Sequence, residues 1–380
     1  MKRFIRALFS TITSVVFSIA LFYLGLYVYR QLNTDKEIST MLEEPVVVES
    51  VSYDRYAYQQ LDDDTKIIYD QIYNCIVEYT DKITVSTMDS KVLEKAYEAV
   101  MADYGDLFWL NGYQYNTYSA GDNVVGMEFE PKYTISKDQR DVYQATVEAT
   151  ANEWLSGISE SASDFDKARY VFETLINNVD YNTDSKENQN LLSVFLYQST
   201  VCQGYADAAW YMLDKLGISS TIITGTANGE SHAWNLVYLD GAYYYMDVTW
   251  GNSRYLDGNN DTAKRINYAY LAMTTEEISQ NHVITSSFEV PECLSNGDNY
   301  FVHEGLYFDW FGVDAIGNRL AESYNSGDKE ISIKFSSSDI FNRVQTYFID
   351  DNHLSEYCRG IQSVYYLLDE NANVITFQWQ

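Results

Sequence analysis

Three side chains in the middle of the chain, Cys202, His232 and Asp247, have the types that nucleophilic acyl transfer requires. In such chemistry a thiolate attacks a carbonyl carbon, an imidazole moves the proton, and a carboxylate orients the imidazole. Taken alone, a cysteine is more often a small buried apolar residue than a nucleophile. The chemical reading therefore depends on whether local structure brings the three side chains together.

Cys202 precedes a helical pattern. The segment VCQGYADAAWYMLDKLGIS places apolar residues at helical spacing and reaches Gly217, a residue typical of helix C-termini. Cys202 is thus predicted at the N-terminal end of this helix, where backbone N–H groups and the helix dipole favour a thiolate and an oxyanion. Gly204 in the first turn costs helix stability, which indicates that another group approaches the backbone closely there.

His232 and Asp247 lie in two alternating runs on either side of Asp240-Gly241, a dipeptide typical of two-residue hairpin turns. With that loop the two residues become diagonal neighbours on one face of the hairpin, about 7 Å apart. A carboxylate can hold an imidazole across such a separation. A three-residue loop would instead place them on opposite faces, so the predicted geometry depends on the turn.

The overall composition excludes several partners. Lys and Arg number 25 against 55 Asp and Glu, a net charge of −30, so nucleic acid and anionic lipid are not expected to bind. With 46% hydrophobic residues the chain can bury a large core. The four cysteines form no CxxC pair, and neither a metal site nor a cofactor is predicted. His282, His303 and His353 have no partner pattern and are predicted to be structural.

The N-terminus has the pattern of a membrane anchor. Lys2, Arg3 and Arg6 precede an uncharged run from Ala7 to Tyr29 that is long enough to span a bilayer as a helix. We expect residues 1–6 in the cytoplasm and the later domains outside, in a single-pass protein of the cell membrane. A cleaved signal peptide is the alternative, but the small-residue cleavage pattern is poor and the apolar run continues past it.

The rest of the chain is predicted to form four segments. Residues 30–60 are a juxtamembrane linker, 61–158 a small α+β domain, 159–290 the catalytic core, and 291–380 a β-rich domain. Helical patterns are predicted at Asp62 to Tyr79, Ser90 to Tyr104 and Lys137 to Leu155.

Three sequence blocks surround the candidate residues: VCQGYA at 201–206, HAWN at 232–235 and DVTW at 247–250. In type and order they resemble the transglutaminase-like (papain-like) cysteine enzyme family, whose bacterial surface members carry VCxGYA, HAWN and DxTW blocks. The resemblance covers residues 164–290, including INYAYLAMTTEEISQNH after the last block. It implies an α+β papain-like core with Cys202 as nucleophile, His232 as general base and acid, and Asp247 as the residue that orients the imidazole.

The resemblance implies an enzyme acting on amide bonds of a protein or peptide, with cell-wall peptide among the candidates, and the predicted anchor places it outside the cytoplasm. Water as acyl acceptor would make it a peptidase or amidase, and a lysine amine would make it a cross-linking enzyme. The alternative is a catalytically silent surface module that keeps the fold for binding. Four neighbouring residues are predicted to contact substrate, although aromatic residues at such places are core residues at least as often: Gln203, Gly204, Tyr205 and Trp234.

Overall fold

The structure is a computed structural model, and it describes residues 21, 23–29, 43–50, 52–253 and 265–380. Its contacts divide the chain into two compact units. The first comprises the chain up to Tyr53 with Leu61–Tyr97 and Trp109–Thr134, and the second comprises Asp54–Gln60, Glu98–Phe108 and Ile135–Gln380.

Among the described residues, no helix combines the length and the apolar character that crossing a bilayer requires. Residues 21 and 23–29 are helical, and the remainder of the predicted anchor from Ala7 to Tyr29 lies outside the described residues. The predicted cytoplasmic segment, residues 1–6, lies outside them as well.

The described helices and strands alternate along most of the chain. The helices are α1 (Tyr56–Gln59), α2 (Asp63–Val77), α3 (Ser90–Asp103), α4 (Lys137–Leu155), α5 (Asp164–Asn178), α6 (Leu192–Tyr197), α7 (Cys202–Lys215), α8 (Val248–Gly251), α9 (Thr275–Ile278), α10 (Tyr300–His303), α11 (Val313–Ser326), α12 (Ser338–Gln345) and α13 (Leu354–Tyr357). The strands are β1 (Ile83–Val85), β2 (Leu110–Ala120), β3 (Asn123–Tyr133), β4 (Asp180–Tyr181), β5 (Ser199–Thr200), β6 (Ser220–Ala227), β7 (Glu230–Leu239), β8 (Ala242–Met246), β9 (Asn252–Ser253), β10 (Arg265–Ile266), β11 (His282–Ile284), β12 (Tyr307–Phe308), β13 (Glu330–Phe335), β14 (Val364–Asp369) and β15 (Val374–Trp379).

The first unit contains a three-stranded antiparallel sheet in the order β1-β3-β2, together with α2. Helix α2 begins after Asp62, whose side chain accepts the Thr65 N–H and caps the helix. Of the apolar residues at helical spacing in this helix, Ile68, Ile72 and Ile76 are buried and Ile67 is exposed. The helices predicted from Asp62 and from Ser90 are confirmed, with C-terminal ends one or two residues earlier than predicted.

The compact units divide the chain at other places than the predicted segments, and Glu98–Phe108 of the predicted small domain belongs to the second unit. Residues 54–60 belong to the second unit rather than to a linker, because the Ala57 and Tyr58 N–H groups donate to the buried Asp103 carboxylate. Helix α4 has the bounds predicted for it but also belongs to the second unit, where Trp154 packs against Phe195 of α6.

The second unit is built around an antiparallel four-stranded sheet in the order β11-β6-β7-β8. Strands β7 and β8 are joined by Asp240 and Gly241, both with positive φ, and Leu239 lies opposite Ala242. These features define a two-residue loop, so the predicted register is confirmed. Helix α7 is linked to this sheet by Asn235, which donates its side-chain N–H to a backbone carbonyl of α7 at 3.0 Å.

The C-terminal part of the second unit contains a four-stranded sheet in the order β12-β13-β15-β14, in which only the β12 and β13 pair is parallel. The strands agree with the β-rich prediction, but this region also carries α11 and α12. Helix α11 buries Ile316 and Leu320 at helical spacing and ends at Gly327 in the left-handed conformation. The fold class is therefore α+β with antiparallel sheets, as predicted.

Candidate active site

Cys202 is the first residue of α7 and is partly exposed. It follows Val201, whose extended backbone turns the chain into the helix. The backbone N–H groups of Gln203 and Ala233 face the sulfur and lower the pKa of the thiol. The first of these groups belongs to the opening turn of α7, where N–H groups have no partner within the helix. The same two donors are placed to stabilise negative charge next to the sulfur.

His232 lies on β7 opposite Gly225 of β6. Its Nε2 lies 2.8 Å from Oδ2 of Asp247, and both side chains are buried. Asp247 follows β8 and forms the N-cap of α8, where its Oδ1 accepts the Trp250 N–H at 3.1 Å. The cap fixes the carboxylate, and the contact with Nε2 leaves Nδ1 of His232 as the ring nitrogen available to Cys202.

The pKa values of His232 and Cys202 are shifted more by the interactions between these side chains than by burial. Burial alone lowers the pKa of His232, but its hydrogen bonds to Asp247 and Cys202 raise that pKa from 6.5 to about 9. Burial raises the pKa of the Cys202 thiol, yet the hydrogen bond to His232 and the His232 charge bring it below its ordinary value. The opposite shifts favour a thiolate beside an imidazolium.

The other three cysteines differ from Cys202. Cys75, Cys293 and Cys358 are all buried thiols. Burial raises the pKa of Cys75 to about 12 and that of Cys293 and Cys358 to about 11. They remain protonated at neutral pH, as structural cysteines do.

His282, predicted to be structural, touches the same carboxylate. It is the first residue of β11, and its Nε2 lies 3.1 Å from Oδ2 of Asp247. Sequence analysis missed this contact because β11 follows Asp247 by 35 positions and reaches it only through the sheet. The one available indication was that His282 ends the ISQNH block within the range of the family resemblance.

Asp247, His232 and His282 are also a set of side chains that could bind a metal ion. Their ligand atoms lie within 4.8 Å of one another. The two imidazole nitrogens already face a single carboxylate oxygen at hydrogen-bonding distance. A divalent ion at this place would replace the hydrogen bond that orients His232.

A cleft of about 430 Å³ opens over the thiol. Its walls come from the end of β4, from the β6-β7 turn, and from α8 with the residue after it. The lining residues are Tyr181, Cys202, Ala227, Asn228, Glu230, Ser231, His232, Thr249, Trp250 and Asn252. The only carboxylate among them is that of Glu230, and no Lys or Arg of the described chain is included.

The residues predicted to contact substrate do not line this cleft. Gln203 donates from Nε2 to the buried Asp207 at 2.8 Å, and Tyr205 donates its hydroxyl to the Val179 carbonyl at 2.8 Å. Trp234 is buried at 1% exposure beneath the sheet surface. Contact of these three side chains with a bound substrate stays a prediction.

Gly204 has a packing reason for lacking a side chain. A Cβ at this position would lie 2.0 Å from the Thr200 hydroxyl and 2.9 Å from the Asn190 carbonyl oxygen. The close approach inferred from the sequence is therefore made by the protein's own chain. Because Gly204 has no side chain, the first turn of α7, which carries Cys202, packs directly against β5.

Comparisons with known proteins agree with this arrangement. The model of the transglutaminase-like superfamily matches residues 149–248, which contain Cys202, His232 and Asp247. Residues 149–248 are therefore similar in sequence to the transglutaminase-like superfamily.

Among curated proteins, the mouse kyphoscoliosis peptidase is 26% identical over 127 residues, 29% of this chain and 19% of that protein. The human kyphoscoliosis peptidase is 24% identical over 135 residues, 30% of this chain and 20% of that protein. The chain thus spans about a fifth of the length of the curated relatives it matches. A solved structure of a TGase is 14% identical, covers 48% of this chain and 53% of its own, and has a TM-score of 0.28.

Proposed function

We propose that this protein is a cysteine-dependent acyl-transfer enzyme that acts on amide bonds of a protein or peptide. The observation that carries the proposal is the position of the His232 ring, which contacts the buried Asp247 carboxylate at 2.8 Å and lies close enough to Cys202 for each group to shift the pKa of the other. A nucleophile, a base and an orienting group are connected in the order that acyl transfer uses.

The proposed reaction has two halves. The Cys202 thiolate attacks the amide carbonyl, the C–N bond breaks, and the departing amine takes the proton held by His232, which leaves an acyl-thioester on the sulfur. His232 then accepts a proton from the incoming water or amine, whose attack releases the acyl group and restores the thiolate. The Gln203 and Ala233 N–H groups, which face the sulfur, are donors for the tetrahedral oxyanion.

The experiment for this proposal is to trap the thioester on the full chain. The protein is incubated with a library of short glutamine-containing and basic peptides, with and without a primary amine, and analysed by mass spectrometry. We expect an acyl adduct on Cys202 and none on a Cys202→Ala variant. Release of free acid would identify hydrolysis, and an amine conjugate would identify transamidation. Intact peptides and an unmodified Cys202 with every substrate and with a cysteine-directed activity probe would favour the binding-module alternative.

We also propose that the enzyme is anchored in the cell membrane with its domains outside the cytoplasm. The proposal is supported by three basic residues before the apolar run from Ala7 to Tyr29. In the described part of this run, Leu21, Tyr23 and Tyr27 are exposed on a helix, as side chains that face lipid would be.

A further inference from the structure

His282 contacts the centre from the far side of Asp247. Its side chain is fully buried, and its Nε2 lies 3.1 Å from the same Oδ2 atom that His232 approaches at 2.8 Å. The main chain holds this position, since His282 pairs with Ala227 of β6 and β6 pairs in turn with β7, which carries His232. Two imidazoles from different strands thus converge on one oxygen.

The surroundings of His282 fix the orientation of its ring. The Asn281 Oδ1 atom faces Nδ1, and Nε2 is directed at Asp247, so both ring nitrogens are in contact with a polar side chain. The indole rings of Trp234 and Trp250 lie 5.0 and 4.8 Å from the His282 ring and shield it from water. A histidine that only filled space would not need both nitrogens engaged by polar side chains.

Asp247 depends on these donors because it is completely buried. Burial raises the pKa of its carboxyl, but hydrogen bonds from His232 and His282 and their charges bring it below its ordinary value. Its third donor, the Trp250 N–H, binds the other oxygen. Without His282, the Oδ2 atom would keep one donor, which is the imidazole that the carboxylate must orient.

We propose that His282 is a positioning residue for the Cys202–His232 pair, acting through Asp247. Its contact with Oδ2 holds the carboxylate in the rotamer that directs His232 towards the sulfur. The inference rests on the proposed function of Cys202 as a nucleophile. It adds a fourth side chain to a site that the sequence blocks define with three.

The titratable groups near His282 are few among the described residues. Asp247 and His232 face its ring, Cys202 lies beyond His232, and the Tyr270 hydroxyl lies 3.4 Å from the Asn281 amide. Burial raises the pKa of Tyr270, so this hydroxyl stays neutral over the range in which the thiol titrates. If substitution of His282 changes the pH dependence of Cys202 alkylation, the cause is therefore its contact with Asp247, which in turn contacts His232.

The test compares three variants of the full chain. His282→Leu removes the donor, and His282→Gln keeps a side-chain N–H of similar reach. The control is His303→Leu, which removes a histidine of α10 that faces Asp298. The rate of Cys202 alkylation by iodoacetamide is measured from pH 4 to pH 10, with the alkylated site identified by mass spectrometry. Circular dichroism and the thermal midpoint establish that each variant is folded.

We expect His282→Leu to move the acid limb of the alkylation profile up by about one pH unit, a tenfold lower rate at pH 6. His282→Gln should recover most of the loss, and His303→Leu should follow the wild type. If a peptide substrate is found, kcat should fall with KM unchanged, because His282 is buried and does not line the cleft. A folded His282→Leu variant with the wild-type profile would overturn the inference.

Two further outcomes separate this inference from others. If His282→Leu does not fold, the test compares His282→Gln with the shorter His282→Asn. Equal pH profiles of Cys202 alkylation for these two variants would overturn the inference, because only the longer side chain can reach Asp247. If a chelator changes the wild-type profile and has no effect on His282→Gln, the three side chains hold a metal ion, and the hydrogen-bond role is wrong. Absence of selective Cys202 alkylation in the wild type would instead overturn the proposed function itself.

Discussion

At the scale of single residues, the protonation of Cys202 and His232 is the property that distinguishes this site. The raised pKa of His232 means that the imidazolium persists up to about pH 9, while the thiol has already ionised at lower pH. Because the two groups interact strongly, their observable titrations belong to the pair. The other three thiols, which are buried away from any imidazole, have raised pKa values instead.

The first prediction concerns this selectivity. At pH 6 iodoacetamide should alkylate Cys202 while Cys75, Cys293 and Cys358 stay unmodified, because the pKa of Cys202 is lowered and those of the other three thiols are raised. His232→Ala removes the cation, so alkylation at pH 6 should fall by at least about tenfold. Peptide mapping after brief labelling gives the rate for each cysteine. Equal labelling of all four, or an unchanged rate in His232→Ala, would contradict the ion pair.

A second prediction concerns turnover. His232 must carry a proton to release the amine, and its pKa is raised to about 9, so kcat/KM should be present below that pH and decline above it. The low-pH limit should follow the ionisation of Cys202. Asp247→Asn should lower kcat by orders of magnitude by misorienting the ring, with little change in fold. A pH–rate profile that keeps rising beyond pH 10 would show that no imidazolium takes part.

At the scale of elements, the start of α7 and the β7-β8 hairpin position the chemistry. The two-residue turn decides that His232 and Asp247 share a face, and the N-terminus of α7 then presents the sulfur to that face. The pairing register of β7 and β8 depends on the positive φ of Asp240 and Gly241, which allows the two-residue turn. At the start of α7, the position of Cys202 likewise depends on the backbone, because a side chain at Gly204 would overlap the Thr200 hydroxyl.

The third prediction tests that close approach. In Gly204→Ala the new Cβ would overlap the Thr200 hydroxyl and press on the Asn190 carbonyl, so the free energy of unfolding should fall by about 1 to 3 kcal/mol and Cys202 should alkylate more slowly. Gly297→Ala is the matched control, since the nearest atom to its Cβ would be at an ordinary 3.4 Å. Urea unfolding measures both. Equal stability of the two variants would remove the packing explanation.

At the scale of the whole molecule, charge and location matter more than any single contact. The net charge of −30 repels anionic partners, and the cleft adds the Glu230 carboxylate close to Cys202 and Tyr181. A cationic group on the substrate would therefore be favoured near the thiol. The apolar N-terminal run would keep such a surface next to the membrane.

The fourth prediction uses the thiol as a probe of this potential. A cationic methanethiosulfonate should modify Cys202 faster than an anionic one of equal size, and added salt should reduce the difference. Glu230→Gln should lower the ratio of the two rates by about two- to threefold, whereas Glu356→Gln, at an exposed position outside the cleft lining, should not. A ratio near one at low salt would mean that the cleft has no negative potential.

The fifth prediction concerns the anchor. Leu21→Arg should cost about 2.5 to 3.5 kcal/mol of insertion free energy and shift protein from the membrane fraction to the soluble fraction. Ser39→Arg, outside the apolar run, is the control. Fractionation followed by N-terminal sequencing distinguishes an uncleaved membrane anchor from a cleaved signal peptide. Wild-type protein found in the medium without its first 20 or so residues would identify a cleaved signal peptide.

The elements around the site could be derived from the sequence because their causes are local. Helical spacing from Cys202 to Lys215, the Asp240-Gly241 turn and strict alternation on both sides of it determined a helix, a loop length and a shared face. Helix α4 has the bounds predicted for it, and in the structure Ser136 and Gln139 form a capping box at its start. The charge and the N-terminal apolar run are likewise properties of the sequence itself.

Only the tertiary structure decided which distant residues meet. His282 joins Asp247 because β11 pairs with β6 at the edge of the sheet, and no periodicity within either segment reports that pairing. The burial of Tyr205 and Trp234 behind the cleft has the same cause, since an amphipathic pattern cannot tell a core face from a binding face. Contacts between residues far apart in sequence depend on how whole elements pack, and local sequence preferences do not determine that packing.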